Sequence, residues 1–257
     1  MANIRLAYVN AYTDPATTLA ASSAASALPV TASQNPDRSY VWRSATDTVA
    51  QTVDVDLGAV TAVTAVLLAN VKVVGTGVVE LYERGDGGAP GSATLVATLA
   101  AQDRDTRAVA AFFSSQSHRH WQLKWTNPTA ATDYAELGYA FLGTYVEPAV
   151  NVMVPIGLDR QDPSVLATSS DGQKSFAART KYITGQLRWD AVLAAQLDQL
   201  RAIFDAIGQA TPLFIVLDTS LSWTTWLARL SGGLAWELEP NLAIGRYGAA
   251  IAFEEVR

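Results

Sequence analysis

The 257-residue chain has no cysteine, which excludes disulfides, thiolate metal sites, iron–sulfur clusters and thiol nucleophiles together. Histidine is nearly as scarce, with two residues, so few side chains can trade protons near neutral pH. Charge is thin. Lys+Arg number 18 against 24 Asp+Glu, a net charge of −6, and charged residues make up 16% of the chain where ~25% is usual. That balance excludes a disordered, highly charged tail. It also argues against sequence-read nucleic acid, because no basic stripe runs along the helix predicted below. No stretch approaches the ~18 uncharged apolar residues of a membrane-spanning helix, so no membrane insertion is expected. The opening MANIRLAYVN lacks the pattern of a secretory signal, and folding in the cytosol is expected.

What the chain has in surplus is apolar surface, 49% of its residues. Either part of that surface is covered by partners, or the sequence is simply rich in Ala and Val. The length suits one large or two medium domains. Residues 1 to 146 read as β, with runs of β-branched and aromatic residues at Ile4 to Val9, Thr52 to Leu57, Val63 to Leu68, Val78 to Tyr82, Leu95 to Leu99, Val109 to Phe113, His120 to Trp125 and Tyr139 to Tyr145. This spacing predicts a β-sandwich. Arg84 to Gly91 is forced into a loop by its glycines and by Pro90. Ala16 to Ala27 is expected to be an irregular lead-in, because its Thr and Ser residues compete for the backbone.

Glu147-Pro148 marks a boundary, and residues 147 to 257 form a second domain of different character. Residues 181 to 189 alternate in polarity as a strand does, with Ile183, Leu187 and Trp189 on one face. A helix is predicted over about 190–207, capped by Asp190, with Val192, Leu193, Leu197, Leu200, Ile203, Phe204 and Ile207 as its apolar stripe. Strands are predicted at Leu213 to Asp218, Trp223 to Leu230, Leu234 to Glu239 and Arg246 to Val256. The fold class is therefore mainly β: a sandwich followed by an α+β sheet or barrel carrying one helix.

Catalytic constellations are hard to assemble. His118 and His120 share a strand face, as two ligands of a metal arm would, but no third ligand is evident, and a strand entering from a polar loop explains them. Asp54 and Asp56 alternate on a strand and Glu254-Glu255 ends one, positions where acids usually face water. The glycines of Gly85 to Gly91 lead into another strand and not a helix, so they form no phosphate cradle. No catalytic, cofactor-binding or metal residue is nominated, no cofactor is expected, and the chain is not expected to be an enzyme. Among the seven tryptophans, Trp42, Trp121, Trp189 and Trp236 sit in apolar patterns and read as core, whereas Trp125, Trp223 and Trp226 lie at strand ends or beside polar residues.

The series Trp42-Arg43-Ser44, Val53 to Gly58, Val63 to Asn70, His120-Trp121-Gln122-Leu123 and Glu136 to Gly143 resembles the discoidin-like, or galactose-binding-like, jelly roll over residues 30 to 145. Followed by a strand-helix-strand unit, the whole resembles tail-tip proteins of long-tailed bacteriophages, similar in role to distal tail proteins, although the two domains stand in the reverse of the familiar order. That resemblance implies a structural virion protein of the phage tail, assembled in the host cytoplasm. It implies a homo-oligomeric ring, hexameric by expectation, that joins the tail tube protein to the baseplate hub and lets DNA pass through its lumen without specific binding. Trp223, Trp226 and Tyr247 are the ring-interface candidates. The alternative is a carbohydrate-binding adhesin, with contacts from Trp125, Arg84 and Asp86 and loops at Arg84 to Gly91 and Asp103 to Arg107.

Overall fold

A computed structural model describes residues 3–256 apart from 38, 46–49, 73–76, 88–89, 100–107, 127–133, 169–170, 172, 220, 222–223 and 239–245. In chain order its strands are β1 (Arg5–Asn10), β2 (Thr18–Ala21), β3 (Trp42–Arg43), β4 (Ala50–Lys72), β5 (Val78–Glu83), β6 (Thr94–Leu99), β7 (Ala108–Thr126) and β8 (Glu136–Val146). There follow β9 (Gly157–Gln161), β10 (Val165–Thr168), β11 (Lys174–Ala177), β12 (Tyr182–Leu193), the helix α1 (Ala194–Ile207), β13 (Leu213–Val216), β14 (Thr225–Leu230), β15 (Ala235–Leu238) and β16 (Arg246–Glu255). The fold is mainly β, as composition and patterning predict. The expected irregular lead-in instead contains β2, whose Leu19 lies opposite Val55 of β4.

Contacts divide the chain into two units, Met1–Glu147 with Leu213–Leu227, and Pro148–Pro212 with Ala228–Arg257. A single cut near residue 146 therefore misses one exchange. Strand β13 belongs with the first unit because it pairs antiparallel with β1, Leu6 opposite Ile215.

In the first unit the strand order is β6-β5-β7-β4-β8-β1-β13, with β2 added to β4 and β3 to β8. Strands β4 and β7 are long, and their register shifts between Asp56 and Thr61, next to Gly58 with its φ of 76°. Glycine suits that position because it takes a positive φ without steric cost. Past the shift β4 gains β8 as a neighbour. Val53, Val55 and Leu57 from before the shift and Val66, Leu68 and Val71 from after it share one apolar cluster with Trp42, Trp121, Leu123, Trp125 and Leu142. The two halves of each long strand thus face each other as the layers of a sandwich, and alternation of inward and outward residues builds the core.

In the second unit the order is β14-β16-β12-β9, with β15 also on β16. Leu187 and Trp189 of β12 and Ala249, Ile251 and Phe253 of β16 are buried, the period-two pattern expected of both strands. Helix α1 buries Leu197, Leu200, Ile203 and Ile207. It begins later than predicted. Asp190 caps nothing, because β12 runs on through a register shift between Trp189 and Val192, and the N-cap is Leu193, with no side-chain cap bond.

Candidate functional site

The predicted ligand loop of the first unit is held from beneath by its own sheet. Arg84 Nη1 donates to Asp54 Oδ1 at 2.8 Å, and Gln122 Nε2 donates to the same oxygen at 2.7 Å. Arg119 grips Asp56 with two bonds, Nε to Oδ1 at 2.7 Å and Nη2 to Oδ2 at 2.8 Å. Such a planar fork-to-fork pair is the strongest form of surface ion pair. The Arg119 bonds, aided by the Gly58 N–H, lower the Asp56 carboxyl to about 2.

The histidines serve the same clasp. His120 Nε2 donates to the Gly87 carbonyl at 2.6 Å, and a carbonyl only accepts, so that nitrogen carries the proton. His118 Nδ1 lies 2.9 Å from Asp86 Oδ1. The backbone closes the arrangement, with Arg84 N–H to His120 O at 2.8 Å, His120 N–H to Gly85 O at 3.0 Å and Gly91 N–H to Arg84 O at 2.6 Å. The acids expected to face water as a bare pair are each neutralised by an arginine. Among the described residues no group of three or more His, Asp or Glu could hold a metal ion.

Beside this clasp lies an open cleft of about 220 Å³, bordered by Thr18, Asp54, Asp56, Pro90, His120 and Trp121. Asp54, Asp56 and His120 are already engaged by Arg84 and Gln122, by Arg119 and by the Gly87 carbonyl, and the cleft exposes no aromatic plate. Trp121 is 1% exposed. Trp125, the expected sugar contact, is fully buried against Trp42 at a ring separation of 5.1 Å, which corrects that assignment. The signal was present: Trp121, Leu123 and Trp125 alternate with Gln122 and Lys124, so all three turn inward. Arg84 and Asp86 do lie at the loop, but as its fasteners. The second expected ligand loop, Asp103 to Arg107, lies outside the described residues, as do Gly88 and Ala89.

The ring-interface candidates fare unevenly. Trp226 is 1% exposed and belongs to the interior of its own chain, which corrects it. Trp223 lies outside the described residues. Tyr247 is half-buried, its ring set edge-on to Trp236 at 6.3 Å. Trp236, read as core, is instead 51% exposed, because the strand that carries it pairs with β16 on one side alone among the described residues. The Arg201 guanidinium of α1 covers one face of its ring at 4.3 Å.

Patterning also failed to announce two buried polar groups. Gln196 brackets Val150, accepting its N–H at 2.9 Å and donating to its carbonyl at 3.0 Å. Glu255, 7% exposed, accepts the Ile183 N–H at 3.1 Å. The larger omission is the segment from Gly157 to Ala177. In β9, β10 and β11 nearly every residue is exposed, including Leu158, Val165, Leu166 and Phe176, and β10 and β11 form a two-stranded sheet of their own. An isolated hairpin of this kind is marginal in water.

No family model matches the sequence, and no curated protein matches it. Solved structures do resemble it over about half its length. A chitosan-binding module of a chitosanase/glucanase from Paenibacillus sp. IK-5 is 20% identical, with a TM-score of 0.45, over 53% of this chain and 100% of the other. The family 32 carbohydrate-binding module of Clostridium perfringens NanJ, solved with galactose, is 15% identical, with a TM-score of 0.42, over 55% and 99%. A fucosidase from Ruminococcus gnavus is 12% identical, with a TM-score of 0.46, over 54% of this chain and 27% of its own.

Proposed function

We propose that the chain is a non-catalytic structural protein that assembles with copies of itself into a ring of the phage tail-tip kind. One observation carries this reading: in the second unit the edge strand β9 and the β10–β11 hairpin hold their apolar side chains in water, with Phe176 67% exposed. Apolar side chains held in water on an unsupported hairpin are what natural folds avoid unless another chain covers them. In this reading the ring has six copies, joins a tail tube protein to the baseplate hub of a virion, and passes DNA without binding it, which the net charge of −6 favours. Sedimentation velocity and electron microscopy of the purified chain test it. The expected result is a closed ring, and a monomer at the highest concentration reached would remove the reading.

The solved neighbours named above add nothing to the ring. They bear on a second reading, in which the first unit is a carbohydrate-binding module. Its supporting feature is the open cleft beside Asp54, Asp56 and His120, a recess with a partly polar rim. Chitotriose and galactose, the sugars bound in related solved modules, are the first to titrate. Heat of binding that disappears on Asp54→Ala would support a sugar site, and silence across a glycan array would dismiss it.

A further inference from the structure

The clasp of the first unit gathers four carboxylates, Asp54, Asp56, Glu83 and Asp86, and they are not served alike. Asp54 has Arg84 at 2.8 Å and Asp56 has Arg119 at 2.7 Å, cations that keep their charge at every ordinary pH. Glu83 and Asp86 have no arginine or lysine partner among the described residues. They share one histidine instead: His118 Nδ1 lies 2.9 Å from Asp86 Oδ1 and 3.8 Å from Glu83 Oε2. The other charged groups nearby are turned elsewhere, Arg119 to Asp56 and Arg84 to Asp54, and the ring that meets His118 edge-on at 5.8 Å is the uncharged Trp121. His120 is placed differently. Its Nε2 is spent on the Gly87 carbonyl, and Asp56, 3.9 Å from its Nδ1, is already gripped by Arg119.

A carboxylate only accepts, so His118 Nδ1 carries the proton towards Asp86 even while the ring is neutral. Its Nε2 has no hydrogen-bond partner among the described residues, and the side chain is 23% exposed, so water can deliver a second proton there. That proton makes the bond to Asp86 charge-assisted and adds an attraction to Glu83. The effect reaches the main chain. Glu83 accepts the Gly85 N–H at 2.9 Å, and the Gly85 carbonyl accepts the His120 N–H at 3.0 Å. A segment held more tightly by the protonated ring must by linkage loosen as that proton leaves.

We propose that His118 is a pH-sensitive fastener of residues 84–87, gripping Asp86 and Glu83 firmly when protonated and slackening as the pH rises through the range, about 5 to 8, in which histidine changes charge. Carboxylates ordinarily stay ionised above about pH 5, so the acids of the clasp keep their charge across that range. Arg84, Arg119 and His120 are the constant fasteners, and His118 is the variable one. The proposal is independent of both functions proposed above, so its failure leaves them standing.

The test is NMR-detected amide hydrogen exchange on the full chain at pH 5.5, 6.5 and 7.5 in low salt, with each rate corrected for its intrinsic pH dependence. The amides of Arg84, Gly85 and His120 report the clasp, and those of β1 and β8 report the unit as a whole. Clasp protection should fall about threefold from pH 5.5 to 7.5, the modest size expected of a pair that water partly screens, while the β1 and β8 amides stay level. His118→Asn keeps a donor near Nδ1 but takes no charge, and its clasp protection should be flat across the range. His120→Gln keeps a donor near Nε2 and should retain the parent's pH response. Asp86→Asn, at a side chain 51% exposed, should lose most of that response, and it carries the test alone if His118→Asn disturbs the circular dichroism. A flat parent, a response that survives His118→Asn or Asp86→Asn in a folded protein, or one shared equally by β1 and β8 overturns the proposal.

Discussion

Asp56 shows how a single side chain in the first unit works. Its carboxyl, lowered to about 2 chiefly by the bonds from Arg119, sits below the unfolded value of ~3.9. A depressed folded value means that the ionised form is the one the fold prefers. The stabilisation is full above about pH 4 and is lost as the pH falls towards 2. Asp56→Asn should therefore cost about 1 kcal/mol or less at pH 7, the modest figure reflecting a pair that water partly screens. Urea unfolding at pH 7 and at pH 2 checks it: the gap between variant and parent should close at the lower pH, and an unchanged gap would mean that the carboxylate charge is not the cause. At this scale the sequence was readable wherever two-residue alternation was followed. Trp42, Trp121 and Trp189, which sit in apolar patterns, are buried as expected, whereas Trp125 looks peripheral only when its polar neighbours are weighed ahead of its spacing. Trp236 obeys the rule in form but lies on a strand with one paired side, and sequence spacing carries no information about what covers a sheet edge.

At the scale of elements, helix α1 illustrates both success and limit. Its stripe of Leu197, Leu200, Ile203 and Ile207 is buried as the 3.6-residue period requires. Its start was placed too early, because Asp190 is a good capping residue and nothing local reveals that β12 stays paired with β16 as far as Leu193 opposite Arg246. The ladder to a strand more than fifty positions away overrides the local cap. Two substitutions separate the assignments. Leu200→Ala should cost about 2–5 kcal/mol by opening a cavity under the helix. Leu193→Ala, at a side chain 49% exposed, should fall within about 0.5 kcal/mol of the parent. Equal losses in chemical denaturation would put Leu193 back on the buried stripe. The hairpin of β10 and β11 was invisible for a related reason: four-residue strands rich in Ser, Thr and Ala carry little period, and their exposure is set by the absence of a covering layer.

For the whole molecule, the decisive fact is that the chain leaves the first unit at Glu147 and returns to it at Leu213. The returning strand completes the sheet, with Arg5, Leu6 and Ala7 of β1 opposite Val216, Ile215 and Phe214. Phe214 also stacks on Tyr139 at 6.1 Å and meets Phe141 edge-on at the same separation. A boundary read from composition near residue 146 does not register this return, because a four-residue apolar strand looks alike in either unit. A fragment ending at residue 147 would thus lack a buried aromatic ring and leave β1 as an open edge. Losing a buried Phe alone costs about 3–5 kcal/mol, a large share of the ~5–15 kcal/mol that holds an ordinary domain together. The fragment should melt well below the full chain or aggregate through the bared strand, and Phe214→Ala in the full chain should lower the melting temperature in the same direction. A fragment of residues 1–147 that melts at the parent's temperature and stays monomeric would show that the first unit is complete without its returning strand.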